Sequence, residues 1–339
     1  MSLELEGAIP PAENTKLFGH KENENFLASA FKSGRIHHAI LLEGEQGIGK
    51  ATFAFRLANH ILNNPDTDQA PDQISDPDPE NPIFRQVAGE ASHNLMHIKC
   101  EVDAKTGKTK SSISVDDIRR TGKFFAQTSG SNNWRIAIID TADDLNRSAA
   151  NAILKILEEP PKRALFLVLS NSPGRLLPTI RSRCLSLHIK SLNDQDMVSA
   201  LNHLDVVNGL DNASIRQLLK LSEGSVSRAL TILNYGGAEL IGHFNDIIDQ
   251  DSQADRKTLH KLAESLAKKD QETSYHFLVD HMITHTMEQA KTAANAGQIS
   301  KAAELAELSE KLNNHKTESD IYNLDRKQTI LTLFSMMGI

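Results

Sequence analysis

A chain of 339 residues, 39% hydrophobic and 24% charged, is long enough for two or three packed domains and too apolar to be disordered. Its net charge of −7 excludes a surface that grips nucleic acid all round, because phosphate binding needs a concentrated positive field; only a local basic patch is compatible. Two cysteines, Cys100 and Cys184, far apart and with no CxxC pairing, exclude a disulfide framework and leave a thiolate zinc site unsupported. Met1 to Asn14 has neither the basic start nor the apolar core of a signal peptide, and no run of about 18 apolar residues follows, so a cytoplasmic protein away from membranes is expected.

In chain order, His38 to Leu42 predicts a strand and Lys50 to Leu62 a helix. Asn63 to Pro82 holds five prolines (Pro65, Pro71, Pro77, Pro79, Pro82) of the chain's 11, along with five aspartates. That composition opposes both helix and sheet and predicts an exposed insertion. Ile136 to Asp140 and Leu165 to Ser170 read as further strands. Between them, Ala149, Ala150, Ile153, Leu154 and Leu157 recur at helical spacing until Pro160-Pro161 stops the run, so a strand-helix-strand crossover is expected. Beyond Lys190 only helical patterns remain: a small unit ending near Tyr235-Gly236-Gly237, then amphipathic stretches such as Leu259 to Lys268 and Ile299 to Leu312. The expected architecture is an α/β domain with a parallel sheet at 1–190, a small helical lid at 191–240 and a larger helical domain at 241–339.

Gly44-Glu45-Gln46-Gly47-Ile48-Gly49-Lys50-Ala51 lies between predicted strand and predicted helix, the setting of a phosphate loop. Gly44, Gly47 and Gly49 would let backbone N–H groups close around phosphate oxygens, with Lys50 adding a cation. An active loop ends in Ser or Thr to hold magnesium, and Ala51 has no oxygen; Thr52 is turned about 100° further round the helix. The sequence leaves ATP or ADP binding open while opposing efficient hydrolysis. Asp140, at the end of a buried strand, suits either magnesium's outer sphere or a strand-end cap. Its neighbour Thr141 is a poor base at neutral pH. His281 and His285 have i, i+4 spacing but no third ligand, so a packed or solvated helix face is expected there. Lys105, Lys108 and Lys110 in a turn read as a solvated loop before a DNA site.

Asn151-Ala152-Ile153-Leu154-Lys155-Ile156-Leu157-Glu158-Glu159-Pro160-Pro161 resembles the helix after the second acidic motif of clamp-loader ATPases in the AAA+ class, and Ser182-Arg183-Cys184 is similar to their SRC motif. Asn171 falls where that class places a phosphate-sensing side chain. The resemblance runs from Leu17 to about Leu187 and is strongest to the delta-prime branch, which keeps SRC and has lost its own ATPase. Three departures from the active gamma/tau branch fit that placement: Ala51; Thr141 in the place of the water-activating glutamate; and Ser227 for the second-sensor arginine within Gly224 to Leu230, where Arg228 is displaced by one. Of a four-cysteine zinc module the matching stretch supplies only Cys100, so no zinc is expected.

The resemblance implies a subunit of the DNA polymerase III clamp loader whose Arg183 acts in trans on a neighbour's ATP. Gamma/tau and delta subunits would be its partners in a hetero-oligomer, with the sliding clamp and primer-template DNA reached through the complex, and the C-terminal helices, including Tyr322 to Gln328, would form a collar. On spacing alone a pairing of Arg183 with a carboxylate of its own domain is the favoured reading, and only the resemblance reverses that order. A stand-alone P-loop ATPase, an active gamma/tau-type subunit and an inert ring member are the competing readings.

Overall fold

The computed structural model describes residues 5–102, 109–110, 112–126, 133–172, 174, 176–249 and 256–339. It forms two compact units, Met1–Arg228 and Ala229–Ile339. The helices expected as a separate lid at 191–240 are therefore divided between the two.

The first unit is built on a five-stranded sheet: β1 (Ala39–Glu43), β2 (Leu95–Lys99), β3 (Arg135–Asp140), β4 (Ala164–Ser170) and β5 (Leu185–His188). All neighbouring strands are parallel, in the order β2-β3-β4-β1-β5. This α/β core with a parallel sheet, followed by helices, is the layer order expected from the sequence. Alternation along the strands sends Ile40, Leu42, Ile136, Ile138, Leu165 and Leu167 to one face, where α1 (Lys21–Lys32) and α2 (Lys50–Asn63) cover them with Leu27, Phe31, Phe53, Leu57 and Ile61. Leu41, Ala137, Ile139, Phe166 and Val168 face the other way, against α4 (Val115–Ala126) and α5 (Arg147–Glu158). Both faces are covered, which is why β1, β3 and β4 read as continuous apolar runs. β2 and β5 are edge strands with half-exposed patterns, and periodicity missed both.

The segment Asn63 to Pro82 corrects an expectation. It has little regular structure apart from one 3-10 turn at Thr67–Gln69, yet Ala70 and Ile74 are fully buried in the core beside α2. Asp76, in the same segment, accepts from Arg56 Nη1 at 2.9 Å. Arg56, 3% exposed, also pairs with the equally buried Glu24 at 2.8 Å and donates to the carbonyl of Thr15. The prolines and aspartates prevent helix and sheet; they do not prevent burial. A 7-residue helix, α3 (Pro82–Ala88), capped by Asn81, ends this strap.

After β5 come α7 (Asp194–His203) and α8 (Asn212–Ser222), capped by Asn193 and Asp211; the single turn α6 (Pro178–Arg181) precedes β5. α9 (Val226–Asn234) spans the boundary between the units. The second unit is helical: α10 (Gly237–Asp249), α11 (Arg256–Leu266), α12 (Glu272–Asn295), α13 (Ile299–Tyr322) and α14 (Arg326–Met336). Phe244, Leu278, Met282, Leu312, Leu333 and Phe334 form its core. His281 packs edge-on against Phe244 with ring centroids 5.0 Å apart, and His285 lies 5.3 Å from the same ring, so the pair belongs to a packed face. No helix among the described residues is long and apolar enough to cross a membrane.

Candidate functional site

The candidate residues converge at the carboxyl ends of β1, β3 and β4, where ligands of open parallel sheets bind. The phosphate loop leaves β1 at Gly44 and enters α2 at Lys50, with Gly49 as N-cap at φ 99°. Lys50 is 5% exposed and donates to the carbonyl of Gly44 at 2.8 Å and to that of Glu45. The cation is thus satisfied by the loop's own backbone. Burial lowers its pKa from 10.5 to about 8 against the opposing attraction of Asp140, Asp143 and Glu45.

The far side of the loop is closed by the start of α9. Val226 N–H donates to the Gly47 carbonyl at 3.0 Å, and Ser225 Oγ donates to the Gln46 carbonyl at 2.9 Å. Gly47 has φ 79°, and a Cβ there would lie 2.6 Å from Ser227 Cβ, so only glycine fits. Ser227, in the second-sensor position, is a short side chain against this turn, while the displaced Arg228 points its Nη1 at Glu223 Oε2, 3.4 Å away. Beneath the loop, His20 Nε2 is 2.7 Å from the Ile48 carbonyl, and burial holds its pKa below the usual histidine value.

Asp140 ends β3 beside Lys99 of β2, and its Oδ2 lies 3.5 Å from His97 Nε2. Thr141 Oγ1 donates to Asp144 Oδ2 at 2.9 Å, so its hydroxyl is committed elsewhere. Asp143 ties the end of β4 to this corner: it accepts from Ser170 Oγ at 2.8 Å and from the Asn171 backbone N–H at 2.6 Å. The contact that organises Asn171 is therefore made by its backbone. Two positions that would serve magnesium are deficient: Ala51 supplies no oxygen, and Asp140 faces an imidazole. No group of three or more His, Cys, Asp or Glu able to hold a metal occurs among the described residues.

Arg183 follows the single turn α6 and is 33% exposed. Its Nη2 donates to Glu158 Oε1 at 2.6 Å and its Nη1 to the Thr179 carbonyl at 2.9 Å. The own-domain pairing that spacing allowed is therefore present, while the guanidinium stays accessible. Arg181 is exposed and makes no ion pair among the described residues. Sequence reasoning assigned no role to Glu158, His97, Asp143 or Ser225. For Glu158 a signal existed: two acids in succession at a helix C-terminus, where the dipole opposes them. Lys110 pairs with Glu101 at 3.0 Å, and Lys105 and Lys108 lie outside the described residues.

A family model described as DNA polymerase III, delta subunit, matches residues 19–193. The chain is 27% identical over 227 residues to DNA polymerase III subunit gamma of Buchnera aphidicola subsp. Schizaphis graminum, covering 66% of this chain and 58% of that protein. It is 30% identical to subunit tau of Escherichia coli, over 61% of this chain and 30% of that one, and 29% identical to subunit delta' of Haemophilus influenzae, over 63% and 60%. A gamma subunit-related protein of Thermotoga maritima superposes with a TM-score of 0.46 at 16% identity, over 93% of this chain and 97% of that one. The matches to the gamma and tau relatives thus span 58% and 30% of their lengths. Since the family match takes in more than half of the chain and includes the phosphate loop, Asp140 and Ser182-Arg183-Cys184, the chain belongs to the DNA polymerase III delta-subunit family of clamp-loader proteins.

Proposed function

We propose that this chain is the delta-prime-like member of a DNA polymerase III clamp loader, contributing Arg183 to ATP held by a neighbouring gamma- or tau-type subunit while hydrolysing none efficiently itself. Identity does not choose between branches, since gamma, tau and delta' relatives stand at 27%, 30% and 29%. The observation that carries the reading is Lys50, whose ammonium is held by the carbonyls of Gly44 and Glu45 in a loop closed by Ser225 and Val226. With Ala51 and Thr141 in the two chemically demanding positions, this loop does not build a hydrolytic site. Arg183, by contrast, is accessible, planar and permanently charged, suited to stabilising charge on a transferring phosphoryl group.

The partners on this reading are gamma/tau and delta subunits in a hetero-oligomer of the cytoplasm. The sliding clamp and primer-template DNA are met through the assembled ring, and neither zinc nor bound nucleotide is required. The helical second unit would supply the collar; Ile321, Tyr322 and Leu324, exposed where α13 gives way to α14, are apolar side chains suited to a partner.

The test is Arg183→Ala in a reconstituted loader. Assembly should be intact by size-exclusion chromatography, and hydrolysis at the served site should fall by about 10³- to 10⁵-fold. Unchanged DNA-stimulated ATPase and clamp loading would falsify the trans role, and vigorous hydrolysis by the purified chain alone would favour an active gamma/tau-type subunit.

A further inference from the structure

The contact between Arg183 and Glu158 carries a consequence for regulation. Glu158 is the last residue of α5 and is 50% exposed; Glu159 caps the helix before Pro160-Pro161. A carboxylate at a helix C-terminus sits against partial negative charge from unpaired carbonyls, so the helix itself gains nothing from it. Its compensation comes from Arg183 Nη2 at 2.6 Å. Arg181, two residues away and exposed, makes no such pair among the described residues, so the fold selects between two available guanidiniums. The Thr179 carbonyl at 2.9 Å fixes Nη1, and Arg183 is thereby held along its own domain by two acceptors.

An ion pair this exposed biases the side chain only modestly, by a factor of about 1.4 to 5. A phosphoryl oxygen array carries more negative charge than a carboxylate and accepts from the same planar fork, so it displaces Glu158 when it comes within reach.

We propose that Glu158 is a releasable latch for Arg183, holding the guanidinium on α5 until the phosphate of a neighbouring subunit's nucleotide takes it over. This rests on the trans role of Arg183 and adds to it a device that keeps the neighbour's hydrolysis low before the ring is fully engaged. Glu158 touches no reacting atom; it acts through Arg183.

The experiment compares loaders reconstituted from gamma-type and delta-type subunits with the full chain as wild type, E158Q, R183A and the double variant, assaying ATPase with and without primed DNA. E158Q should raise the DNA-free rate by about 1.4- to 5-fold. It should leave the DNA-stimulated maximum in place, and the double variant should match R183A. In the isolated chain, NMR should show slowed rotation of the Arg183 guanidinium, lost in E158Q, a signature independent of any ATPase. If E158Q matches wild type while R183A is crippled, the latch is wrong and the trans role stands. If E158Q lowers both rates, the carboxylate positions Arg183 for reaction and the latch is again wrong. A freely rotating wild-type guanidinium also overturns it. R183A loaders that behave like wild type remove the trans role itself, and the latch with it.

Discussion

Lys50 offers a sharp test of the closed phosphate loop, because its environment makes stability depend on pH in a definite direction. Burial takes its pKa from 10.5 to about 8 in the folded chain. Below pH 8 the lysine is protonated in both folded and unfolded states, and the cost of burying the charge is felt in full. Between about pH 8 and 10.5 the folded state has released its proton while the unfolded state keeps it, so stability rises with pH; above that window it levels off. A difference of about 2.5 units corresponds to about 3 kcal/mol. Lys50→Met removes the titration. Other basic groups titrate in the same range, so the quantity to measure is the wild-type minus Lys50→Met difference in unfolding free energy, from urea denaturation between pH 7 and 10.5. It should increase by about 3 kcal/mol, equivalent to about 1 M urea for a slope near 3 kcal/mol per molar. A difference that stays flat, or falls as pH rises, would show that Lys50 is solvated and that the loop is open.

Two further substitutions probe the surroundings of the loop. Arg56→Met leaves the buried carboxylate of Glu24 with Lys21 at 3.7 Å as its remaining ion-pair partner, frees the Thr15 carbonyl and takes from Asp76 one partner while Lys16 stays; it should cost about 3 to 5 kcal/mol in chemical denaturation, with Glu24→Leu/Arg56→Met recovering much of the loss. A single-variant loss below about 1 kcal/mol would mean that the guanidinium reaches water. Gly47→Ala forces a side chain into φ 79° and against Ser225 and Ser227, and should destabilise by about 2 kcal/mol or more; a neutral result in thermal unfolding would contradict the closure by α9.

Much of the first unit was legible because burial on both faces writes itself into composition: β1, β3 and β4 are almost wholly apolar, and α5 carries its stripe between Asn146 and Pro160. β2 and β5 were not legible, since an edge strand such as Leu185–His188 only half-buries alternate residues over four positions and looks like loop. The strap from Asn63 was misread for the opposite reason: a few anchors, Ala70, Ile74 and Asp76, hold down a segment whose average composition is that of solvent-exposed chain. At the site, the absences at Ala51 and Thr141 could be read residue by residue. The hold of Lys50 on Gly44 and Glu45 could not, because backbone carbonyls leave no trace in sequence. The pairing of Arg183 with Glu158 joins residues 25 apart, and the fold alone decides which of two nearby arginines meets the acid.

The bonds from Ser225 and Val226 to the carbonyls of Gln46 and Gly47 give the loop and the start of α9 a shared set of contacts. A displacement of either one must break these bonds or carry the other with it, so the loop and the first turn of α9 are mechanically one piece, and a strain applied at Ser225 is felt at Gly47.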